Sequence, residues 1–394
     1  MGPLGAAIWL SRLGLRQSEL MENPYPIYHT WREEHPVWEV EPGQWLLFRY
    51  EETKRVLSEP AFQKGEPWTE TPPPEYPDLP ELTPSMLMSN PPVHTRLRSL
   101  VSQAFQPRHL KRLEPFITKL AEDLMASLEN TGGGDLVREF AFPLPALVIA
   151  ELLGVPESDH GHFRAWSQQV ARLLDPSQPP EARQNAVAAR WELLDYFHHL
   201  IEDKKSHPSD DLLTELIRTE SKGDRLSPGE LLSMALLLLV AGHETTTNLL
   251  SMGTLALIEH PSASKEPADW HLAVEELLRF TSPVQLDARL TAGPISMDGL
   301  EIPEGSWLTV AIGSANRDPA VFDQPDKLML DRSPNPHMAF GRGIHFCLGA
   351  GLARMEAAIA FPLLWQHNWA LEGQPLWNEN IVLRGLTALP VRIF

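Results

Sequence analysis

The chain has 394 residues, of which 33 are Lys or Arg and 52 are Asp or Glu, so its formal charge is −19. This acidity argues against a nucleic-acid-binding protein, whose electrostatic footprint is a basic face. With 43% hydrophobic and 22% charged residues, the composition is that of a globular protein with a large core, and the single cysteine excludes intrachain disulfides and CxxC metal sites.

Targeting and membrane signals are weak. The first residues contain a short apolar stretch without a charged region before it or a cleavage pattern after it, so no signal peptide is predicted. The most apolar run, residues 231–242, falls short of the roughly 18 apolar residues that a membrane span requires. We therefore expect a soluble, cytoplasmic, monomeric protein that binds neither membrane nor nucleic acid.

The N-terminal part predicts short mixed elements. Residues 45–50 (WLLFRY) are typical of a buried strand, and residues 51–60 predict a helix that Pro60 ends. From Pro60 to Pro92 the chain carries ten prolines without sustained periodicity. A loop of this length in a compact chain is usually functional or disordered.

Helical patterns dominate residues 93–260. Residues 181–205 predict a long amphipathic helix. A second long helix begins with the capping box Ser227-Pro228-Gly229-Glu230 and can continue to Pro261, over about 33 residues or roughly 50 Å. Because it is apolar on nearly every face, this helix has to run through the middle of the molecule.

After this helix, residues 273–280 predict another helix, and short strand-like runs follow at 300–302, at 307–312 and around 381–394. No internal repeat or linker divides the chain. The expected fold is therefore mainly α with small β-sheets, in a single large domain over residues 1–394. Residues 1–22 are a candidate for a loosely ordered N-terminal extension.

The lone cysteine lies in a glycine-rich segment, residues 340–349 (FGRGIHFCLG), just before a helix-forming stretch. Three glycines allow backbone N–H groups to turn towards the sulfur, and the helix adds its positive end, so both features favour a thiolate. Phe346 and Arg354 stand where a GxGxxG motif needs glycine, and c-type haem attachment needs a second cysteine. A buried structural cysteine and a cysteine hydrolase using a distant histidine stay open as alternatives.

A second polar group interrupts the long apolar helix at residues 241–246 (AGHETT). A zinc-binding HExxH motif fails because Thr247 stands in place of the second histidine. Acid and hydroxyl groups are costly to bury inside an apolar helix unless they are hydrogen-bonded or meet water. They indicate either a groove that holds a polar guest or threonines bonded back to the preceding helical turn.

A third motif, Glu276-x-x-Arg279, places an ion pair on one helix face, which alone says little. In chain order the motifs are AGHETT, Glu276-x-x-Arg279, Ala315-Asn316-Arg317-Asp318-Pro319 and the cysteine segment. This combination resembles that of the cytochrome P450 family in its soluble bacterial branch.

The resemblance implies a non-covalently bound haem b with Cys347 as the axial thiolate ligand of the iron. It assigns the propionate-binding cations to His94, Arg98, Arg289 and His345, and it extends the cofactor-binding set to Ala241, Phe340 and Gly349. Glu244 and Thr245 match the acid–alcohol pair that delivers protons to dioxygen, beside a narrow helix surface at Ala241 and Gly242. Glu276 and Arg279, with Arg332 as a third member, match a structural pair behind the haem.

The implied activity is a monooxygenase that inserts one atom of O₂ into an apolar organic substrate. Electrons would come from NAD(P)H through a ferredoxin and ferredoxin reductase, or a flavodoxin-type carrier, docked near Arg342 and Arg354. Rival hypotheses are a peroxide-driven peroxygenase, a haem sensor or carrier, and a cysteine hydrolase that binds no haem. The resemblance places substrate contacts in the proline-rich loop 61–89, in the lid turn 175–180 between two lid helices, at Leu237 and Val240, and in residues 284–286 and 386–387.

Overall fold

The computed structural model describes residues 17–65, 69–105, 107–174, 178–221, 224–260 and 267–394. Its helices are α1 (Gln17–Glu22), α2 (Tyr25–Glu34), α3 (Tyr50–Ser58), α4 (Val93–Ala104), α5 (Pro107–Thr131), α6 (Pro143–Leu153), α7 (His160–Ala171), α8 (Pro180–Ser206), α9 (Leu212–Arg218), α10 (Pro228–Glu259), α11 (Trp270–Thr281), α12 (Ile312–Ala315) and α13 (Ala350–Trp365). A π-helical turn (Val137–Ala141) precedes α6.

The strands are short: β1 (Val37–Glu41), β2 (Gln44–Leu47), β3 (Phe62–Gln63), β4 (Gly133–Asp135), β5 (Glu220–Ser221), β6 (Asp224–Arg225), β7 (Leu286–Thr291), β8 (Ile295–Met297), β9 (Leu300–Ile302), β10 (Trp307–Ala311), β11 (Trp369–Leu371), β12 (Leu376–Trp377), β13 (Leu386–Ala388) and β14 (Pro390–Ile393). The largest sheet has the order β1–β2–β10–β7–β3, in which only the β2–β10 pairing is parallel. The mainly helical fold with small sheets is confirmed.

Helix α10 is the central element. It begins with the predicted capping box, in which Ser227 accepts from the Glu230 N–H and the Glu230 carboxylate accepts from the Ser227 N–H. Its 32 residues pack against α6, α11, α13 and the lid helices α7 and α8, and most of its side chains are buried. The predicted course through the middle of the molecule is confirmed.

Two predicted strands are shorter than expected. The strand at residues 45–50 stops at Leu47, and α3 already begins at Tyr50, whose N–H donates to the Asp318 carboxylate. The run 307–312 ends as a strand at Ala311, where α12 begins. In both places a tertiary contact or a following helix ends the strand before its apolar sequence does.

The proline-rich loop lies on the lid helix α8. Glu70 and Leu82 exchange both backbone hydrogen bonds, at 3.0 and 2.9 Å, which folds the loop back on itself. The Arg190 guanidinium donates to the Glu70 carboxylate at 2.6 Å, and the ring of Tyr76 stacks on Trp191. We call these two contacts the lid clasp. The lid turn expected at 175–180 lies partly outside the described residues, which resume at 178.

The described part of the N-terminal segment is helical. Within residues 1–22, where the sequence suggested a loosely ordered extension, residues 17–22 form α1 and bury Leu20 and Met21. The buried Arg384 guanidinium fixes this helix by donating to the backbone oxygens of Met21 and Glu22. Residues before 17 lie outside the described part. Among the helices in the described ranges, none combines the length and apolarity needed to cross a bilayer.

Candidate active site

The cysteine loop is a closed turn ahead of α13. The Cys347 N–H donates to the Phe340 oxygen at 2.9 Å, which draws the two ends of the loop together. Gly341 and Gly343 both adopt φ +69°, and a Cβ on Gly343 would lie 2.6 Å from the Leu57 oxygen of α3. Glycine is therefore required at these two positions. Gly349 has an ordinary φ and serves instead as the residue before α13.

The surroundings of the Cys347 sulfur combine opposing influences. Burial raises the pKa of the thiol, while the N–H groups of Gly349 and Ala350 and the charges of Arg98 and Arg354 lower it. The N–H groups and the helix end favour the thiolate as predicted, while burial outweighs them and leaves the pKa of the unliganded thiol raised. The residue nevertheless keeps an accessible face. A cation bound there would supply the missing positive charge, because metal binding requires the deprotonated thiol.

An ion-pair cluster around Glu275 lies next to the cysteine loop. Arg354 of α13 donates twice to the Glu275 carboxylate of α11, at 2.6 and 2.8 Å, and its guanidinium lies 4.4 Å from the centre of the Phe340 ring. His337 also contacts Glu275, at 3.0 Å. Burial by itself raises the pKa of Glu275, but its bonds to Arg354 and His337 outweigh burial and lower the pKa to about 2. Phe340 is thus held in place between the cysteine loop and α11.

Strand register brings a cation cluster to the edge of the large sheet. Residue 63 pairs with residue 290 across β3 and β7, so Lys64 comes opposite Arg289. Asp287 lies two residues before Arg289 and therefore on the same face of β7. Its carboxylate accepts from the Lys64 ammonium and from the Arg289 guanidinium, each at 2.7 Å.

Burial and the neighbouring charges together set the pKa values in this cluster. Burial by itself raises the pKa of Asp287, but Arg289 and Lys64 outweigh it and hold the pKa well below the usual range. Burial lowers the pKa of Lys64 to about 8, against the opposing effect of Asp287. Burial and the charges of Arg289 and Lys64 lower the pKa of His345 to about 3. Asp287 and Lys64 therefore stay ionised at pH 7, and the His345 imidazole stays neutral.

The two remaining predicted cation positions, His94 and Arg98 of α4, join the same cluster. The His94 and His345 rings meet at 4.4 Å between centroids, and burial together with Arg98 lowers the pKa of His94. The Nδ1 atom of His94 is buried without a hydrogen-bond partner, and no carboxylate of the described residues pairs with the half-buried Arg98.

These residues fit the two propionate groups of a haem. Arg98, Lys64 and Arg289 carry three positive charges against the single carboxylate of Asp287, which leaves a surplus of two positive charges. A half-buried positive charge without a protein partner costs free energy unless an anion compensates for it. The cluster thus offers both the charge and the free donors that two carboxylates need.

The interrupted stretch of α10 presents one open side. Ala241 is exposed although its neighbours Val240 and His243 are buried. Gly242 does not share this open side, because a Cβ there would lie 2.9 Å from the Ile149 side chain of α6. The prediction that both residues form the narrow groove surface therefore holds for Ala241 alone, and Gly242 serves the packing of α6 on α10.

The acid and alcohol next to Ala241 differ in their environments. The Thr245 hydroxyl donates to the Ala241 oxygen at 3.0 Å, the back-bonding that the sequence left open, and its lone pairs stay free to accept. Burial raises the pKa of Glu244 to about 7. A carboxyl with that pKa gives and takes a proton near neutral pH.

The Glu276–Arg279 pair is entirely buried. The Glu276 carboxylate accepts two bonds from Arg279, at 2.7 and 2.8 Å, and one from Arg332 at 3.0 Å. It also accepts from the Met329 N–H and the Asn335 amide. The two arginines in turn donate to backbone oxygens of residues 316–327. This network ties α11 to the segment before the cysteine loop.

The sequence did not predict Lys64 and Asp287 of the cation cluster, nor Glu275 as the partner of Arg354. Lys64 and Asp287 are 223 residues apart, and Lys64 stands next to a two-residue strand too short for a periodic signal. The one available signal was the segment DARL, in which Asp287 shares the strand face of the predicted Arg289.

Comparisons with known proteins agree with this site. A family model described as Cytochrome P450 matches residues 5–266 and 271–381. The chain is 40% identical to Vitamin D(3) 25-hydroxylase from Pseudonocardia autotrophica, over 97% of this chain and 98% of that protein.

Two solved structures share the fold. One is the cytochrome P450 PksS of the bacillaene polyketide synthase of Bacillus subtilis 168, at 39% identity and a TM-score of 0.85, covering 95% of this chain and 98% of that one. The other is CYP109E1 from Bacillus megaterium in complex with testosterone, at 34% identity and a TM-score of 0.82, covering 94% and 99%. Because the family model matches nearly the whole chain and these relatives are covered almost end to end, the chain belongs to the cytochrome P450 family of haem b-dependent monooxygenases.

Proposed function

We propose that this chain inserts one atom of O₂ into an apolar organic substrate, using electrons from NAD(P)H that a separate ferredoxin-type carrier delivers. When bound, haem iron with a thiolate ligand supplies the centre at which O₂ is reduced and cleaved. We assign Cys347 as the iron ligand. His94, Arg98, Arg289 and His345 would hold the propionates.

The rest of the cofactor site consists of surfaces. Phe340, fixed between Arg354 and the loop, and Gly349, whose N–H is directed at the sulfur, would shape the cysteine side. Ala241 would form the opposite wall, on the open side of α10. Lys64 and Arg289 both donate to the Asp287 carboxylate, which would hold the two cations together beside the propionates.

Glu244 and Thr245 would supply protons. The Thr245 hydroxyl has its own hydrogen committed to the Ala241 oxygen, so it would orient a water by accepting a hydrogen bond from it. Glu244 would reload that water, since its carboxyl exchanges a proton near pH 7. The observation that favours a monooxygenase over a peroxygenase, a haem carrier or a cysteine hydrolase is the raised pKa of Glu244 beside a Thr245 hydroxyl whose lone pairs are free to accept.

Substitutions of the two residues test this assignment. With a compound that shifts the Soret band on binding, we expect Thr245→Ala to consume NAD(P)H while releasing mostly hydrogen peroxide, and Glu244→Ala to slow the whole cycle by about 10²-fold or more. Thr246→Ala, at a buried position on the same helix, is the matched control. Equal ratios of product to reductant in wild type, Thr245→Ala and Thr246→Ala would contradict the proposal.

The ligand assignment has its own test. The reduced protein with carbon monoxide should show a strongly red-shifted Soret band, because of thiolate ligation, and Cys347→Ser should lose this band. A retained band in Cys347→Ser would rule out Cys347 as the ligand. A protein that binds no haem at all would instead revive the cysteine hydrolase.

For the substrate class, we propose rigid-ring apolar compounds of steroid size. The support is that one relative is named for vitamin D(3) and another was solved with testosterone. Spectral titrations with testosterone, vitamin D(3) and a fatty acid of similar size would separate rigid-ring from chain substrates. Tighter binding of the fatty acid would contradict the proposed class.

For the redox partner, we propose docking at the face nearest the sulfur, centred on Arg342. Arg354, the other candidate, is neutralised by Glu275, and the groove beside Arg342 is also lined by Glu51, Glu52, Glu59 and Asp298. Of the two arginines, only Arg342 would therefore attract an acidic ferredoxin. Arg342→Glu should slow electron transfer from ferredoxin at low salt but not at high salt, and an unchanged rate at both would contradict this face.

A further inference from the structure

The buried residue His243, which lies next to Glu244, has no role in the function proposed above. Its Nδ1 contacts the Leu239 oxygen at 2.9 Å, and its ring packs edge-on against Phe142 at 5.7 Å. A backbone oxygen can only accept, so Nδ1 carries the hydrogen. Burial lowers the pKa of His243 to about 4, so the ring is neutral at pH 7 and Nε2 is a bare lone pair.

This Nε2 atom is buried without a hydrogen-bond partner in the protein. The nearest acidic oxygen is Oε2 of Glu244, at 3.7 Å. That distance is too long for a hydrogen bond, but a side-chain movement of about 1 Å closes it. About a fifth of the Glu244 side chain is accessible, which leaves it room to turn.

We propose that His243 is the positioning residue of Glu244: its Nε2 accepts a hydrogen bond from the protonated carboxyl and repels the same carboxyl once it is ionised. The inference rests on the proposed role of Glu244 as a proton source. A protonated carboxyl is then favoured in the position that faces the ring, and an ionised carboxyl in a position turned away from it. No bond is broken in this cycle except the O–H bond of the carboxyl, whose proton passes to water.

The charges around the pair do not supply another partner. Burial is the only influence that raises the pKa of Glu244, and burial with the Leu239 oxygen accounts for that of His243. The elements packed against α10 carry ionisable side chains that leave both pKa values unaffected: Arg138 and Glu139 of the π-helical turn, Glu151 of α6 and Glu356 of α13. Among the described residues, His243 is therefore the one basic side chain within 4 Å of the Glu244 carboxyl.

The test is an infrared pH titration of the Glu244 carboxyl in the haem-loaded protein without substrate. The C=O band of the protonated acid is assigned by its loss in Glu244→Gln, which separates it from the band of Glu356, the other buried carboxyl with a raised pKa. Wild type should titrate near pH 7 and show the lowered frequency of a hydrogen-bonded acid.

In His243→Phe, which keeps a ring against Phe142 but removes the acceptor, the midpoint should fall by about one pH unit and the band should move to the frequency of a free acid. His243→Gln, whose side-chain oxygen can accept, should restore the wild-type frequency. The matched control is His260→Phe, because His260, the residue that follows α10, bonds the carbonyl four residues back and packs edge-on against Phe280 of α11.

Three results would overturn the inference. A free-acid frequency in wild type would do so whether or not any variant folds. An unchanged or raised midpoint in His243→Phe, or a lowered midpoint without a frequency change, would assign the ring a packing role only. Because these readouts need no turnover, they are independent of the Glu244→Ala and Thr245→Ala experiment, whose failure would instead reject the proposed proton supply.

Discussion

Replacing Glu276 by glutamine should destabilise the fold more than any other single loss of charge in the described chain. The substitution keeps the volume of the side chain and removes its charge. Arg279 and Arg332, both buried, would then face each other without a carboxylate. The variant therefore separates the value of the charge from that of packing.

The magnitude follows from burial. Glu276 and Arg279 are both 0% exposed, and five hydrogen bonds converge on the carboxylate. Removing one partner of a buried ion pair typically costs about 3–5 kcal/mol, against about 5–15 kcal/mol for the stability of a whole protein. In chains of about 150–250 residues, each kcal/mol shifts the melting temperature by roughly 2–4 °C, and the shift becomes smaller as chains become longer. At roughly 2 °C for each kcal/mol, the melting temperature of Glu276→Gln should fall by about 6–10 °C.

The assay is thermal unfolding followed by circular dichroism, with the Soret band recorded in parallel. Glu51→Gln is the matched control, because Glu51 pairs with Lys54 at the same spacing of three residues on α3 but is exposed. That variant should melt within about 2 °C of wild type. A Glu276→Gln protein that melts as high as the Glu51→Gln protein would refute the reasoning that the buried network stabilises the fold.

Three further predictions concern pH, cofactor retention and the lid. The pKa of Glu275 is lowered from 4.5 to about 2, so its ion pair stabilises the fold fully above about pH 4.5 and loses this effect as the pH falls towards 2. The difference in unfolding free energy between wild type and Glu275→Gln, measured by urea unfolding, should therefore shrink between about pH 4.5 and pH 2. Arg98→Leu should release haem to apomyoglobin about 10- to 100-fold faster, whereas Arg96→Leu, whose side chain pairs with carboxylates instead, should not. Arg190→Leu, which breaks the lid clasp to Glu70, should speed both binding and release of imidazole in stopped-flow measurements, and unchanged rates would show that the clasp does not gate access.

Local sequence predicted the elements whose signals lie within one or two helical turns. The start of α10 follows from the capping box at Ser227 and Glu230, which contains both of its hydrogen-bonding partners. The amphipathic pattern of residues 181–205 matches α8 within two residues at each end. The glycine-rich segment predicted the closed turn around Cys347, because glycine adopts the positive φ found at Gly341 and Gly343 without the steric cost that a Cβ brings.

The sequence alone, through the order and content of its motifs, determined the family, the sole cysteine of the cofactor site and the course of the central helix. Only the tertiary structure decided the balance of charge and burial. It joined Lys64 to Asp287 and Arg354 to Glu275, turned Gly242 towards α6, and raised the pKa of both Cys347 and Glu244. Desolvation and long-range ion pairs depend on which distant segments pack together, and no local pattern of residues encodes them.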